Sequence, residues 1–307
     1  SAVRFNGTLD GSASGAQALT VNAAGATVFG AAVGATQPLA SLSTNTGGTV
    51  SLRDVSTVGD ITLGENATLN GTLNTGGGNF SAAGSTTLAG TLSTVEAGAG
   101  DVDFTGAVLG TAAATQSLAV NSSGTTTFGA TVASEALPLA SLSTNAGGST
   151  RLGGSVSTSG AQSFSDNVVL TADTVLDAIS LEFGAGLNVS TFDLTLQYDL
   201  TLTGPASAAQ GSGFVSLAPR NAASTIGVAG GAGTFQVSQA ALDSLTSLPN
   251  LGVGRTDGSG ALTVGSLTLR SNFRLQSGSG TVDFTGAVNG ANNALTVSSG
   301  GLTTVGG

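Results

Sequence analysis

Asp101 and Asp103 lie two residues apart in the run DVDF, and paired carboxylates are the one acid–base device this chain retains. It has no His and no Cys, and all seven basic residues are arginines. Ser-His-Asp triads, cysteine nucleophiles, imidazole or thiolate metal sites, lysine Schiff bases and P-loops are therefore excluded together. At a spacing of two, both carboxylates of a strand share one side. Asp283 stands where Asp103 does in the related run VDFTGAV (282–288), and Arg4 stands there in VRFNGTL (3–9). A position that accepts both Asp and Arg reads as a solvated strand flank, so no catalytic residue is expected.

Cleavage of an acidic polysaccharide would need clustered carboxylates beside basic and aromatic groups that hold the sugar. Tyr198, the single tyrosine, with Arg255, Arg270 and Arg274 is the one set that could serve. A calcium repeat of the form GGxGxDxU is missing, since GGGNF (76–80) has no Asp at the required place. No metal or cofactor is expected. The runs GSTTL (84–88) and GTTTF (124–128) raise a threonine array for adsorption to ice or another solid, but the flanking positions vary among Asn, Gly, Ala and Thr. The net charge of −10 is spread without an acidic run. A phosphate backbone asks for Lys/Arg clusters, so nucleic acid is not an expected partner.

The elements that could position any of these residues follow from composition. The 307 residues include 49 glycines and 12 phenylalanines but no Trp, Met or Cys, and only 8% are charged. Disorder needs low hydrophobicity and high charge. Collagen needs a strict glycine period with abundant proline. An all-β chain of short strands and Gly/Asn/Ser turns is the class that remains. There is no initiator Met and no basic n-region. Nor is there an apolar run of the length, about 18 residues, that crosses a bilayer. Neither a signal peptide nor a membrane span is expected, and the chain reads as a processed product or a piece of something longer.

The stretch PLASLSTN occurs at 38–45 and again at 138–145, inside longer copies spanning 3–45 and 102–145; a third copy opens at 282. Three units follow: 3–101, 102–281 and a partial 282–307, in one continuous domain over 1–307. Within them a large apolar residue, a Gly or Ala and another apolar residue take alternate positions. Phe5, Phe29, Leu69, Leu88, Phe104, Phe128, Leu152 and Phe284 open such triplets, and Leu52 opens one broken by Arg53-Asp54-Val55. Period 2 is the strand signature. From Phe5 to Leu152 the openings advance in steps of 24, 23, 17, 19, 16, 24 and 24. Those steps predict a parallel β-helix (β-solenoid) of about 20–24 residues per coil, a single elongated rod. Roughly fourteen coils would give about 70 Å at the strand spacing.

In this reading the nine opening residues form one internal stack. Asn22, Asn45, Asn121 and Asn145 end strands before glycines, where Asn tolerates left-handed backbone, and their side-chain amides are expected to bond one another in a turn ladder. Pro38-Leu39 marks a corner. Residues 160–281 keep the composition and loosen the pattern. LTLQYDLTLTG (194–204) still alternates, Ser238 could cap a helical turn in 236–250, and Asp257-Gly258 reads as a turn before a strand.

TFGATVASEALPLASLSTNAGGSTRLGGSVSTSGAQSFSDNVVLTADTVLD (127–177) and FQVSQAALDSLTSLPNLGVGRTDGSGALTV (235–264) resemble repeat regions of the filamentous-haemagglutinin-like adhesins of two-partner secretion and of similar autotransporter passengers. The resemblance implies a right-handed helix, export by an outer-membrane secretion partner, and an extracellular or cell-surface location. It implies a structural part in an adhesin or matrix fibre, such as a biofilm, that meets a host or surface glycan or protein receptor. Two alternatives stand beside it: a subunit that stacks on itself head to tail, and a glycan-binding or glycan-cleaving β-helix.

Overall fold

The computed structural model describes residues 1–204 and 209–306. Among the described residues, strands of two to seven residues follow one another along the chain, broken by one short helix, α1 (Gln239–Asp243). Within a strand such as Ser41–Thr44 or Thr125–Phe128, burial alternates residue by residue. That is the expected result of apolar residues at every second position.

The strands pair in parallel and in register, like over like. Val3–Phe5 pairs with Thr27–Phe29, so that Phe5 lies against Phe29 with ring centroids 4.9 Å apart and planes 5° from parallel. The coils lay their strands on three faces, most coils contributing one strand to each. Face 1 carries six strands from Val3–Phe5 to Val108–Gly110 and seven from Val156–Ser157 to Leu295–Ser299. Val132 bridges the two groups, pairing with Val108 and Val156, so the face is continuous through about fourteen levels. Face 2 runs in eight strands from Val55–Ser56 to Thr201–Thr203, and face 3 in ten from Ala18–Val21 to Ala209–Gln210. The fold is the expected all-β solenoid.

Coil length is less uniform than 20–24. In-register partners advance by 17 from Leu52 to Leu69, by 24 from Phe104 to Phe128, and by 36 from Leu217 to Val253. The long coil holds the strand pair Ile226–Val228 and Phe235–Val237 and then α1, capped by Ser238, whose side chain accepts from the Ala241 N–H. That strand pair opens a five-stranded sheet, which follows face 1 in chain order where face 2 had done, and the pair Leu267–Thr268 and Val288–Asn289 takes the place of face 3.

The single stack of nine residues is corrected into three. Phe5, Phe29, Leu52, Leu69 and Leu88 form a column on face 1, which continues over Leu88 to Gly110. Phe104, Phe128 and Leu152 belong to face 3, between Ala82 and Leu170. Phe284 lies between Val264 and Val305 on the five-stranded sheet. The cause is the short step from Leu88 to Phe104. It is not a coil but two-thirds of one, passing through Leu92–Gly98 on face 2. The first unit, 3–101, is thus four coils and two-thirds, so the second copy starts on face 3 where the first started on face 1, and the third starts on the five-stranded sheet.

Corner glycines set the coil spacing. A side chain on Gly48, Gly100 or Gly148 would overlap the carbonyl oxygen of Gly25, Gly78 or Gly124 in the coil beneath. The preceding glycine serves another purpose. Gly47 and Gly147 hold φ at +102° and +115°, which disfavours side chains. The Gly-Gly pairs that follow Asn45 and Asn145 therefore supply first a turn and then a close approach.

Candidate functional site

Polar groups fall in three places: corners, interior and outer faces. At the corners the expected amide ladder is replaced by another. Asn45 Oδ1 accepts the Ala23 N–H at 2.9 Å and Asn145 Oδ1 accepts the Ser122 N–H at 2.7 Å, in each case from the coil below. Their amide NH₂ groups donate to the next backbone carbonyls, of Thr46 and Ala146. Asn121 donates to Glu96 at 2.7 Å, and Asn22 is exposed. No amide of the four bonds another. A backbone N–H that the corner leaves unpaired is the better partner, because it has no other acceptor.

Asp shares this role with Asn. Asn79 N–H donates to Asp60 Oδ1 at 2.8 Å, Asp101 N–H to Asn79 Oδ1 at 2.9 Å, and Thr125 N–H to Asp101 Oδ1 at 2.6 Å. Asp101 is thus a corner cap, while Asp103 points outward between Ser81 and Thr127 and accepts from the Thr105 hydroxyl. The two carboxylates do not form a pair. Asp283 lies between Thr263 and Thr304, and Arg4 beside Val28.

The threonine runs are also split. Thr86 and Thr126 point inward and are fully buried. The outward row of face 3 reads Thr62, Ser81, Asp103, Thr127, Arg151 and Val169, which is no regular hydroxyl grid.

Besides Asp177, which pairs with Arg220, two buried carboxyls went unnoticed in the sequence. Glu65 and Asp166 are 3% and 1% exposed. Glu65 faces Thr44 and Gly48 with neither oxygen in hydrogen-bond geometry, and Asp166 accepts the Gly148 N–H at 2.8 Å. Burial pushes both above the usual carboxylate range, and the polar neighbours hold the rise back. The folded state therefore binds protons more tightly than the unfolded chain. Their contribution is fully favourable below the unfolded value near about pH 4 and is lost as pH rises through the folded values. Melting temperature should fall from mildly acid to neutral pH, and the double variant Glu65→Gln/Asp166→Asn should flatten that slope. Parallel pH profiles for the two proteins would refute the assignment.

The residues expected to hold a glycan are spread out. Tyr198 is packed edge-on against Phe235, and burial pushes its hydroxyl up to about 12. Arg255 pairs with Asp257 at 2.8 Å, Arg270 with Asp243 at 3.2 Å, and Arg274 lies over the Phe214 ring at 4.3 Å. The four do not form one cluster. Among the described residues no group of three His, Cys, Asp or Glu side chains could hold a metal ion, and no helix is long and apolar enough to cross a membrane. No protein-family model, curated protein or solved structure matches this chain.

Proposed function

We propose that the chain is a non-catalytic shaft segment of a secreted bacterial surface adhesin or extracellular matrix fibre. Its work is length, stiffness and display. The observation that supports this reading is the use made of its acidic and amide side chains. Asp60, Asn79, Asp101, Asn45 and Asn145 are spent on joining one coil to the next. Export through an outer-membrane partner, a surface location and a glycan or protein receptor belong to the same proposal.

Electron microscopy of the purified chain tests it. Separate rods of about 70 Å, the span of roughly fourteen strand spacings, are the expected particles. Deleting one coil, residues 153–170, should shorten them by about 4.8 Å and leave melting cooperative. Compact particles, or loss of melting cooperativity on that deletion, would overturn the shaft.

Head-to-tail stacking is a second reading, favoured by Leu302 and Val305, which are 69% and 82% exposed on the last described coil. Strand edges at either end can pair with a further coil, supplied by more of the same protein or by a second copy. Filaments many times the rod length in the same images would select the second copy.

A further inference from the structure

Face 1 sinks at two levels of its upper half. One outward row runs Thr195, Ser216, Gly252 and Arg274. The next begins with Gln197 against Ala218 and ends with Gly254 against Gln276. Side chains shrink to Ser, Ala and Gly between large neighbours. The result is a cleft of about 360 Å³, with Ser216 and Gly254 in the floor and Gln197, Gln276, Arg255 and Asp257 around it.

Its walls are held in place. Arg255 makes two hydrogen bonds to Asp257, each 2.8 Å, and Nη1 donates to the carbonyls of Pro219 at 3.2 Å and Arg220 at 3.0 Å. A planar guanidinium fixed from both ends is a rigid surface. Gln197 is the exception. It is 9% exposed, and its amide makes no hydrogen bond within the described residues. A polar group this little exposed takes a partner where it is open, and this amide is open to the cleft and its surroundings, where water or a ligand can meet it. It also lines the adjoining depression of about 300 Å³, with Asp177, Asp199, Glu135 and Arg220.

The surroundings select the ligand. The cleft itself holds one ion pair, Arg255 with Asp257, and the adjoining depression holds Glu135, Asp177 and Asp199 against Arg220, so the surroundings are net negative and disfavour an anion. No aromatic ring lines the cleft, which excludes a flat apolar ligand. The side-chain amides of Gln197 and Gln276 each offer a donor and an acceptor in one plane, the arrangement that meets two adjacent hydroxyls. The volume is at the small end for ligand pockets, about 300–1,000 Å³.

We propose that this cleft between Gln197 and Gln276 is a binding site for a neutral saccharide of one or two sugar units. Gln197 donates and accepts at one side, Gln276 at the other, and the Arg255–Asp257 pair forms the wall. The site is lateral on the rod and independent of whether the rod is a shaft.

Saturation-transfer NMR on the whole chain tests this with maltose, cellobiose, lactose and mannobiose at millimolar concentration, and digalacturonate as an anionic probe. At least one neutral disaccharide should give transfer and digalacturonate none. Gln197→Ala and Gln276→Ala should each weaken the dissociation constant roughly tenfold, the loss of one hydrogen-bonding group, with circular dichroism unchanged. Should Gln197→Ala disturb folding, the half-exposed Gln276 carries the test alone. Transfer from none of the four sugars, equal transfer from digalacturonate, or full binding in Gln276→Ala would overturn the proposal.

Discussion

Phe128→Asp should lower stability by several kcal/mol and abolish the cooperative melt of the middle coils. Phe128 is 1% exposed, stacks on Phe104 at 5.5 Å and 3°, and pairs with Leu152 above it. A carboxylate there has no cation within the column and cannot reach water, so it must be neutralised or the coils must part. A solenoid couples each coil mainly to its neighbours, and the damage should spread up and down from that level. Phe128→Leu is the control, since leucine fills the next level of the same column. It should cost about 1–1.5 kcal/mol. Thermal melting by circular dichroism separates the two, and an unchanged melt in Phe128→Asp would mean that the column is not the core.

Gly148→Ala should be comparably severe, although it adds a single methyl group to a corner. The added carbon would overlap the Gly124 carbonyl oxygen, and backbone cannot swing aside as a flexible side chain does. The coils must separate at that corner, breaking the hydrogen bond from the Ser149 N–H to the Gly124 carbonyl at 3.2 Å. Overpacking costs about 1–3 kcal/mol when side chains absorb it, and at least about 3 kcal/mol is expected here. Gly7→Ala, with nothing within 4 Å of the added carbon, should be neutral within about 0.5 kcal/mol. Equal melting temperatures for the two variants would show that corner glycines do not set the spacing.

Much of this architecture could be read from the letters. Alternation revealed the strands, and the recurring interval between triplets revealed the coil, because both follow from backbone geometry. PLASLSTN was legible too: Leu42 and Thr44 point inward, Leu39 forms a bridge to Thr57 at a corner, and Leu139 does the same to Thr158. What could not be read was which face a strand joins. The three faces use the same small residues, so Leu88 and Phe104 look like successive levels of one column. Only the pairing partners, Gly110 for Leu88 and Ala82 for Phe104, separate them.

The buried carboxyls did carry a signal. Glu65 follows Leu63 and precedes Ala67 at inward parity, and Asp166 stands likewise between Phe164 and Val168. Strict use of period 2 places both inside. The cleft carried almost none. It depends on Ser216, Ala218, Gly252 and Gly254 being neighbours across the long coil that holds α1, which no local spacing reveals.

The two-thirds turn left over by the first unit has a genetic reading. A gene duplication in such a rod need not copy whole coils; it has only to copy whole strand-and-corner modules, so three times as many lengths are tolerated. It also has a directional one. A patch fixed within the repeat points a new way in each successive copy, like the thread of a screw. Such a rod lying on a flat surface turns one copy in every three toward it, whichever side lands.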